Sequence, residues 1–325
     1  MKKKDVAFLL LGIMIAILLP LVIKARYYQH ILIMALIWAT LGTAWNLLGG
    51  YTGQVSFGHA AFFGLGAYAA GLLTHHLELS SWWGILLGPV VAMLISIPIG
   101  LICFRLRGPY FALAMLATGE IFRLVFTNWV SFTNGARGIL LMPSITSKLP
   151  YYYMALFMLG LAIMVVYFIM NSRYGYYFLA IREDQDSAEA LGIPTSRFKM
   201  YSLLPSAFLT GLAGAFYMNY LAFIDPHVVF SLSEISVMVI LVVMLGGVAT
   251  TWGPAVGAAI YVILSELFRA QWGTASVLAF GVLVCLVIMF LPNGIMGETH
   301  RLRGLFKGRS GGTYSGGEKG EVLRD

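Results

Sequence analysis

Ten apolar runs separated by short polar stretches set the pattern of this chain: 6–23, 30–48, 60–74, 82–104, 109–127, 151–170, 201–222, 233–250, 254–268 and 274–291. At 1.5 Å per helical residue, a run of about 18 to 20 residues covers about 27 to 30 Å, the thickness of a bilayer's hydrocarbon core. The pattern predicts an all-α, polytopic integral membrane protein with about ten transmembrane helices. Runs 60–74 and 254–268 are short for a crossing and 109–127 carries charge, so eight spans is the alternative. The first run, Val6 to Ile23, follows a basic start, contains Pro20 and ends at Lys24 and Arg26 without an A-x-A-like cleavage pattern, so it reads as a retained span.

Composition narrows the class further. The chain is 59% hydrophobic and 11% charged, against about 45 to 50% and about 25% for soluble domains. A soluble globule, a disordered chain, a coiled coil, a disulfide scaffold and a nucleic-acid-binding domain are all poor fits. The net charge of +7 has a topological origin. With the N-terminus inside, 15 of the 21 basic residues fall on the cytoplasmic side and 5 outside, which predicts that both termini are cytoplasmic. Cys103 and Cys285 read as small core residues, with no disulfide and no metal site expected. The 36 glycines, many of them inside the runs, predict a tight bundle. A shift of 193 positions pairs Gly53 with Gly246, Val55 with Val248, Gly64 with Gly257 and Tyr68 with Tyr261, a faint echo of an internal repeat.

Three stretches could carry chemistry. The polar, glycine-rich Gly49–His59 segment interrupts two apolar runs, and non-helical backbone at membrane depth must lie in protein or along a water-filled cavity. Asn46, Gln54, Ser56 and His59 would offer hydrogen bonds to a passing solute, or the segment is an ordinary cytoplasmic turn with a packed histidine. Glu120 and Arg123, spaced i, i+3 within a span, are either part of a path or a structural pair near the outer interface. The cytoplasmic stretch 173–200 contains Ile181–Gly192, a run of helix formers closed by a glycine, with Pro194 two residues on. Its charged face, with Arg182, Glu183, Asp184, Asp186 and Glu189, suits docking against another protein, and a solvated loop helix is the bland alternative. In the tail, Tyr314–Glu318 mimics an ABC signature loop and Gly308–Gly312 a nucleophile elbow. No phosphate-binding G-x-x-x-x-G-K-[ST] loop accompanies the first and no strand–helix context the second.

Asn46–Tyr68, Gly108–Arg123, Ala180–Ile193, Gly246–Gly257 and Leu291–Gly294 together resemble the branched-chain amino acid ABC transporter permeases, specifically the M-type subunit. The resemblance covers about residues 30–300. It implies a non-enzymatic transport subunit in a bacterial or archaeal inner membrane, importing branched-chain amino acids. The partners implied are a second homologous permease, two cytoplasmic ATPases that bind ATP and Mg, and an external solute-binding protein, with membrane lipid around them. The coupling segment of such importers maps onto Arg182 to Pro194, with Arg182, Glu183, Glu189, Ala190 and Gly192 facing the ATPase. Thr133–Gly138 departs from the family's Thr-Gly-Gly-x-x-Gly loop by placing Asn134 where a glycine is usual. The expected organisation is a first span and connection at 1–29, a permease domain at 30–300 and a flexible cytoplasmic tail at 301–325. Urea, short amides or other amino acids are alternative cargoes for this architecture. A secondary transporter working alone, with Glu120 as its coupling group, is the rival class.

Overall fold

The computed structural model describes residues 16–23, 25–77, 80–141, 147–273, 281, 289 and 294–297. The expected first span enters only through its end, helical over 16–22, while most of the run at 274–291 and the whole 301–325 tail lie outside the described residues.

The architecture is nearly all-α. The longer helices are α1 (Arg26–Trp45), α2 (His59–Leu77), α3 (Ser81–Cys103), α4 (Pro109–Asn128), α5 (Lys148–Met170), α6 (Arg173–Glu183), α7 (Gln185–Ala190), α8 (Thr195–Leu221), α9 (Met238–Gly246) and α10 (Gly253–Trp272). Six helical stretches among the described residues are long and apolar enough to cross a membrane: Arg26–Tyr51, Ser81–Cys103, Pro109–Asn128, Lys148–Met170, Pro226–Gly246 and Gly253–Gln271. The two runs that look short in the sequence extend beyond their apolar cores, into the 19-residue α2 and the 20-residue α10. Both therefore reach about 28 to 30 Å.

Helices α2 and α8 fall outside that apolar set because protein surrounds them. Most of α2 is buried, and α8 hides Ser202, Ser206, Thr210 and Asn219 from lipid. They meet each other, and α3, through small residues. A Cβ placed on Gly66 would lie 2.1 Å from the Gly211 carbonyl oxygen, and one on Gly214 would lie 2.0 Å from that of Phe63. Backbone-to-backbone contact of this kind holds helices together in lipid, where apolar burial alone gives no drive.

One departure from an all-helical chain is small. Ile139–Leu140 pairs antiparallel with Phe223–Ile224, joining the loops that follow α4 and α8. Asn134 beside this ladder adopts a left-handed φ of 59°. Asparagine tolerates that conformation better than other non-glycine residues, which accounts for its standing at a glycine position.

Candidate functional site

The first irregular segment begins where α1 tightens into a buried π-helical turn, Asn46–Tyr51, and then loses helical form until His59. Its peptide groups are satisfied from inside the protein. The Trp45 indole donates to the Ser56 carbonyl (2.8 Å), the Thr52 hydroxyl to the Leu47 carbonyl (3.1 Å), and the Ser56 hydroxyl accepts from Gly58 N–H (3.2 Å). His59 is fully buried between two serines, with Nδ1 3.3 Å from Ser56 Oγ and Nε2 2.9 Å from Ser206 Oγ. Because the Ser206 hydroxyl donates to the Ala44 carbonyl (2.7 Å), it accepts from His59. Nε2 therefore carries a proton. This network satisfies the broken helix from within the protein, as a break inside a membrane would require.

A second break follows α8. Asp225 caps the short turn Pro226–Val229, Phe230 packs onto Gly64, Tyr68 and Phe126, and the chain enters a π-helical turn at Leu232–Val237 before α9. Ser236 Oγ accepts the first free N–H of α2, from Ala60 (3.0 Å). A third irregular stretch separates α9 from α10, and Asn46 ties it to the first. The Asn46 side chain donates to the Thr250 carbonyl (2.9 Å) and accepts from Ala249 N–H (2.8 Å), across more than 200 residues of chain. The two helix–break–helix units suggested by the 193-residue echo thus meet at one buried amide.

On the side where α3 leads into α4, the 173–200 stretch forms two helices. The expected continuous helix over Ile181–Gly192 breaks at Asp184, because its carboxylate leaves helical geometry to cap Ser187 N–H (2.6 Å) and start α7. Ala188 is buried, as are Phe178 and Ile181 of α6, and they hold the pair to the bundle. Arg107, from the α3–α4 connection, bonds both Asp186 and Glu189, the latter at 2.8 Å. Glu189 also accepts from Gln185 (2.9 Å) and from the Thr195 hydroxyl. The backbone and stem of Arg182 lie against Gly53, 3.1 Å from where its Cβ would be, so this segment touches the first break directly. Gly192 ends α7 in a left-handed turn (φ 84°), with Ile193 N–H bonding the Ala188 carbonyl (3.1 Å). Beside it the apolar side chain of Leu191 is 82% exposed.

Hydrogen bonds from Thr195 and Gln185, and then the nearby Arg107 charge, hold the Glu189 carboxyl below the usual carboxylate range, and Ser187 does the same for Asp184. A carboxylate depressed in the folded state contributes stability at neutral pH that is lost as pH falls. The attachment of α7 is therefore expected to hold at pH 7 and loosen below about pH 4. Hydrogen exchange over residues 185–191, compared at matched intrinsic rates, checks this, and equal protection at both pH values would contradict it.

The residues named from the sequence fall into three groups. Asn46, Ser56 and His59 are buried and spend their polar atoms on the protein itself. Gln54 is half-buried beside them, and Glu120 is exposed on α4 with Arg123. Arg182, Glu183, Glu189, Ala190 and Gly192 all reach the surface around α6 and α7. Sequence reasoning passed over Arg107, Thr195 and His227. The Asp225-Pro226 pair, a helix-start signature, was the available signal for the segment that carries His227.

The model of the family described as branched-chain amino acid transport system / permease component matches residues 27–291. The chain is 27% identical over 95% of its length to the high-affinity branched-chain amino acid transport system permease protein LivM of Salmonella typhimurium, covering 79% of that protein. It is 27% identical over 91% of its length to the Escherichia coli protein of the same name, covering 76% of it. Identity to the probable branched-chain amino acid transport permease protein LivM of Methanocaldococcus jannaschii is 24%, over 66% of each chain. No solved structure matches the chain significantly. A multi-pass helical bundle with helix breaks held inside the protein fits the match across 27–291, and the chain belongs to the branched-chain amino acid permease family.

Proposed function

We propose that this chain is the translocating subunit of a binding-protein-dependent importer for branched-chain amino acids. It forms its path with a second homologous permease in a bacterial or archaeal inner membrane, while two separate cytoplasmic ATPases bind ATP and Mg and supply the energy. An external binding protein delivers the cargo and sets most of the choice among amino acids. The observation that carries this reading is the α6–α7 segment. It presents Leu191 outward while its other face is locked to Arg107 and pressed on the first helix break at Gly53. A push there reaches the broken helices through rigid contacts, so nucleotide-driven closure of the ATPases biases the bundle between two states. Arg182, Glu183, Glu189, Ala190 and Gly192 form the coupling surface, and Gln54 and Glu120 are accessible polar groups beside the breaks.

Gly192 supplies the test. No atom lies within 4 Å of a Cβ placed there, but at φ 84° a β-branched residue is strained. Gly192→Val is expected to leave assembly intact and ATP hydrolysis active, while ATP-driven uptake falls by about tenfold, the effect of roughly 1.4 kcal/mol at the turn. Normal uptake in this variant would remove the coupling assignment. Ion-driven uptake by the chain alone, without ATPases, would instead favour a secondary transporter using Glu120.

A further inference from the structure

We propose that Glu120, Arg123 and the recess beside Gly119 form a subsite on the permeation path that takes the zwitterionic head and apolar side chain of an α-amino acid. The subsite rests on the transport reading above.

Helix α4 buries Phe111, Met115 and Gly119 and packs Phe122 and Phe126 partly against the core, while the face carrying Glu120, Ile121, Leu124 and Val125 is exposed. Glu120 lies about 16 Å along the helix from Pro109, near the middle of a bilayer. Its side chain is 46% exposed and that of Arg123 is 24% exposed. Charges at that depth are costly against lipid, so this face borders protein or water. Arg123 donates through Nε to Glu120 (2.9 Å), makes a second bond to the same carboxylate through Nη2, and through Nη1 reaches Nδ1 of His227 (3.1 Å). The pair therefore offers one anion and one oriented guanidinium side by side. An amino acid's ammonium matches the first and its carboxylate the second. Exchanging the internal ion pair for these two contacts keeps the site electrically neutral whether empty or filled. That suits a step in which a zwitterion leaves water without unpaired charge.

Next to the pair lies an apolar recess lined by Phe57, Leu116, Gly119, Phe230 and Leu232. Gly119 is buried, yet a Cβ built on it meets no atom within 4 Å, unlike Gly66 or Gly214 in the bundle interior. The recess is water-sized, about 20 Å³, too small for a branched side chain while its walls are together. Two of those walls belong to irregular segments. Phe57 is on the non-helical loop before α2, and Phe230 and Leu232 flank the entry to the second π-helical turn. Neither segment is locked by an unbroken α-helical ladder, so both can part when the bundle changes state. The side chain then enters beside Gly119 while the head group stays on Glu120 and Arg123.

The test uses the full complex in proteoliposomes, with the partner permease, both ATPases and the binding protein. E120Q/R123Q replaces the ion pair with a neutral, hydrogen-bonding pair and leaves no charge unpaired. A merely structural pair tolerates that change. The subsite does not, and leucine uptake per ATP hydrolysed is expected to fall at least about tenfold, with assembly and binding-protein-stimulated hydrolysis retained. Gly119→Val narrows the recess and is expected to reduce leucine uptake several-fold more than valine uptake. Retained uptake in the double variant overturns the subsite, as does an equal loss of leucine and valine uptake in Gly119→Val. A wild-type complex that takes up no branched-chain amino acid overturns the transport reading itself.

Discussion

Replacing Gly66 with valine is expected to abolish the stable bundle, leaving little monodisperse protein after extraction and a sharply lowered thermal midpoint. The position lies at the contact of α2 with α8, and the nearest atom to a new Cβ is a backbone carbonyl oxygen at 2.1 Å. A flexible side chain could swing away, but a helix backbone cannot. The two helices must separate by more than an ångström, and the neighbouring Gly88 and Gly214 contacts loosen with them. Overpacking usually costs about 1 to 3 kcal/mol. Here the strain falls on backbone in a stripe of small residues shared by three helices, so the cost belongs at or above the top of that range. Gly160→Ala is the control, since no atom lies within 4 Å of its Cβ. It should keep or slightly raise stability by removing a helix glycine. Size-exclusion profiles and melting of both variants decide the matter, and a well-folded Gly66→Val would refute the close contact.

Asn46→Leu is expected to destabilise the chain by about 2 to 4 kcal/mol, because it leaves two backbone groups without their partner. The side chain of Asn46 is buried, with its amide engaged at both ends by Ala249 and Thr250. Leucine fills similar space and can do neither. Asn46→Asp keeps the acceptor for Ala249 N–H but turns a carboxylate oxygen toward the Thr250 carbonyl, so it should also fail to restore stability. Faster hydrogen exchange over residues 247–252, together with a lower melting temperature, is the expected signature. Unchanged exchange there in Asn46→Leu would show that the amide is not the tie between the two breaks. Uptake should fall in parallel, since this tie joins the first break to the third.

Much of the fold was legible because membrane insertion is enforced residue by residue along the chain. Apolar length predicted the helices, and 109–127 and 151–170 lie within α4 and α5 almost end to end. The 233–250 run was harder. Its first third is the π-helical turn at Leu232–Val237 and its end is the non-helical stretch after Gly246, so one apolar run holds three conformations. Hydropathy registers burial and is blind to that difference. The break at Asp184 was missed for a different reason. Asp184 lies inside a run read as one helix, and its side chain, a preferred N-cap that bonds Ser187 N–H, was the local signal passed over.

For the candidate site, residue type pointed to the right neighbourhoods and left their roles open. From the sequence, Asn46, Ser56 and His59 read either as solute contacts or as polar groups of an ordinary turn with a packed histidine. The structure gives them another use, supplying the hydrogen bonds that α1 and α2 forfeit where the helix is broken. Glu120 and Arg123 were visible as a pair from their spacing. Their exposure, the bond to His227 104 residues away and the recess at Gly119 were not.

By itself the sequence determined a membrane-embedded helical bundle, the expected side of its charged loops and the family whose motifs it carries, since hydropathy, charge and short motifs are written locally. Only the tertiary structure decided which polar groups are spent on the fold and which stay available. Those assignments depend on contacts such as Asn46 with Ala249 and Arg107 with Glu189, whose energies exist only when distant segments are brought together.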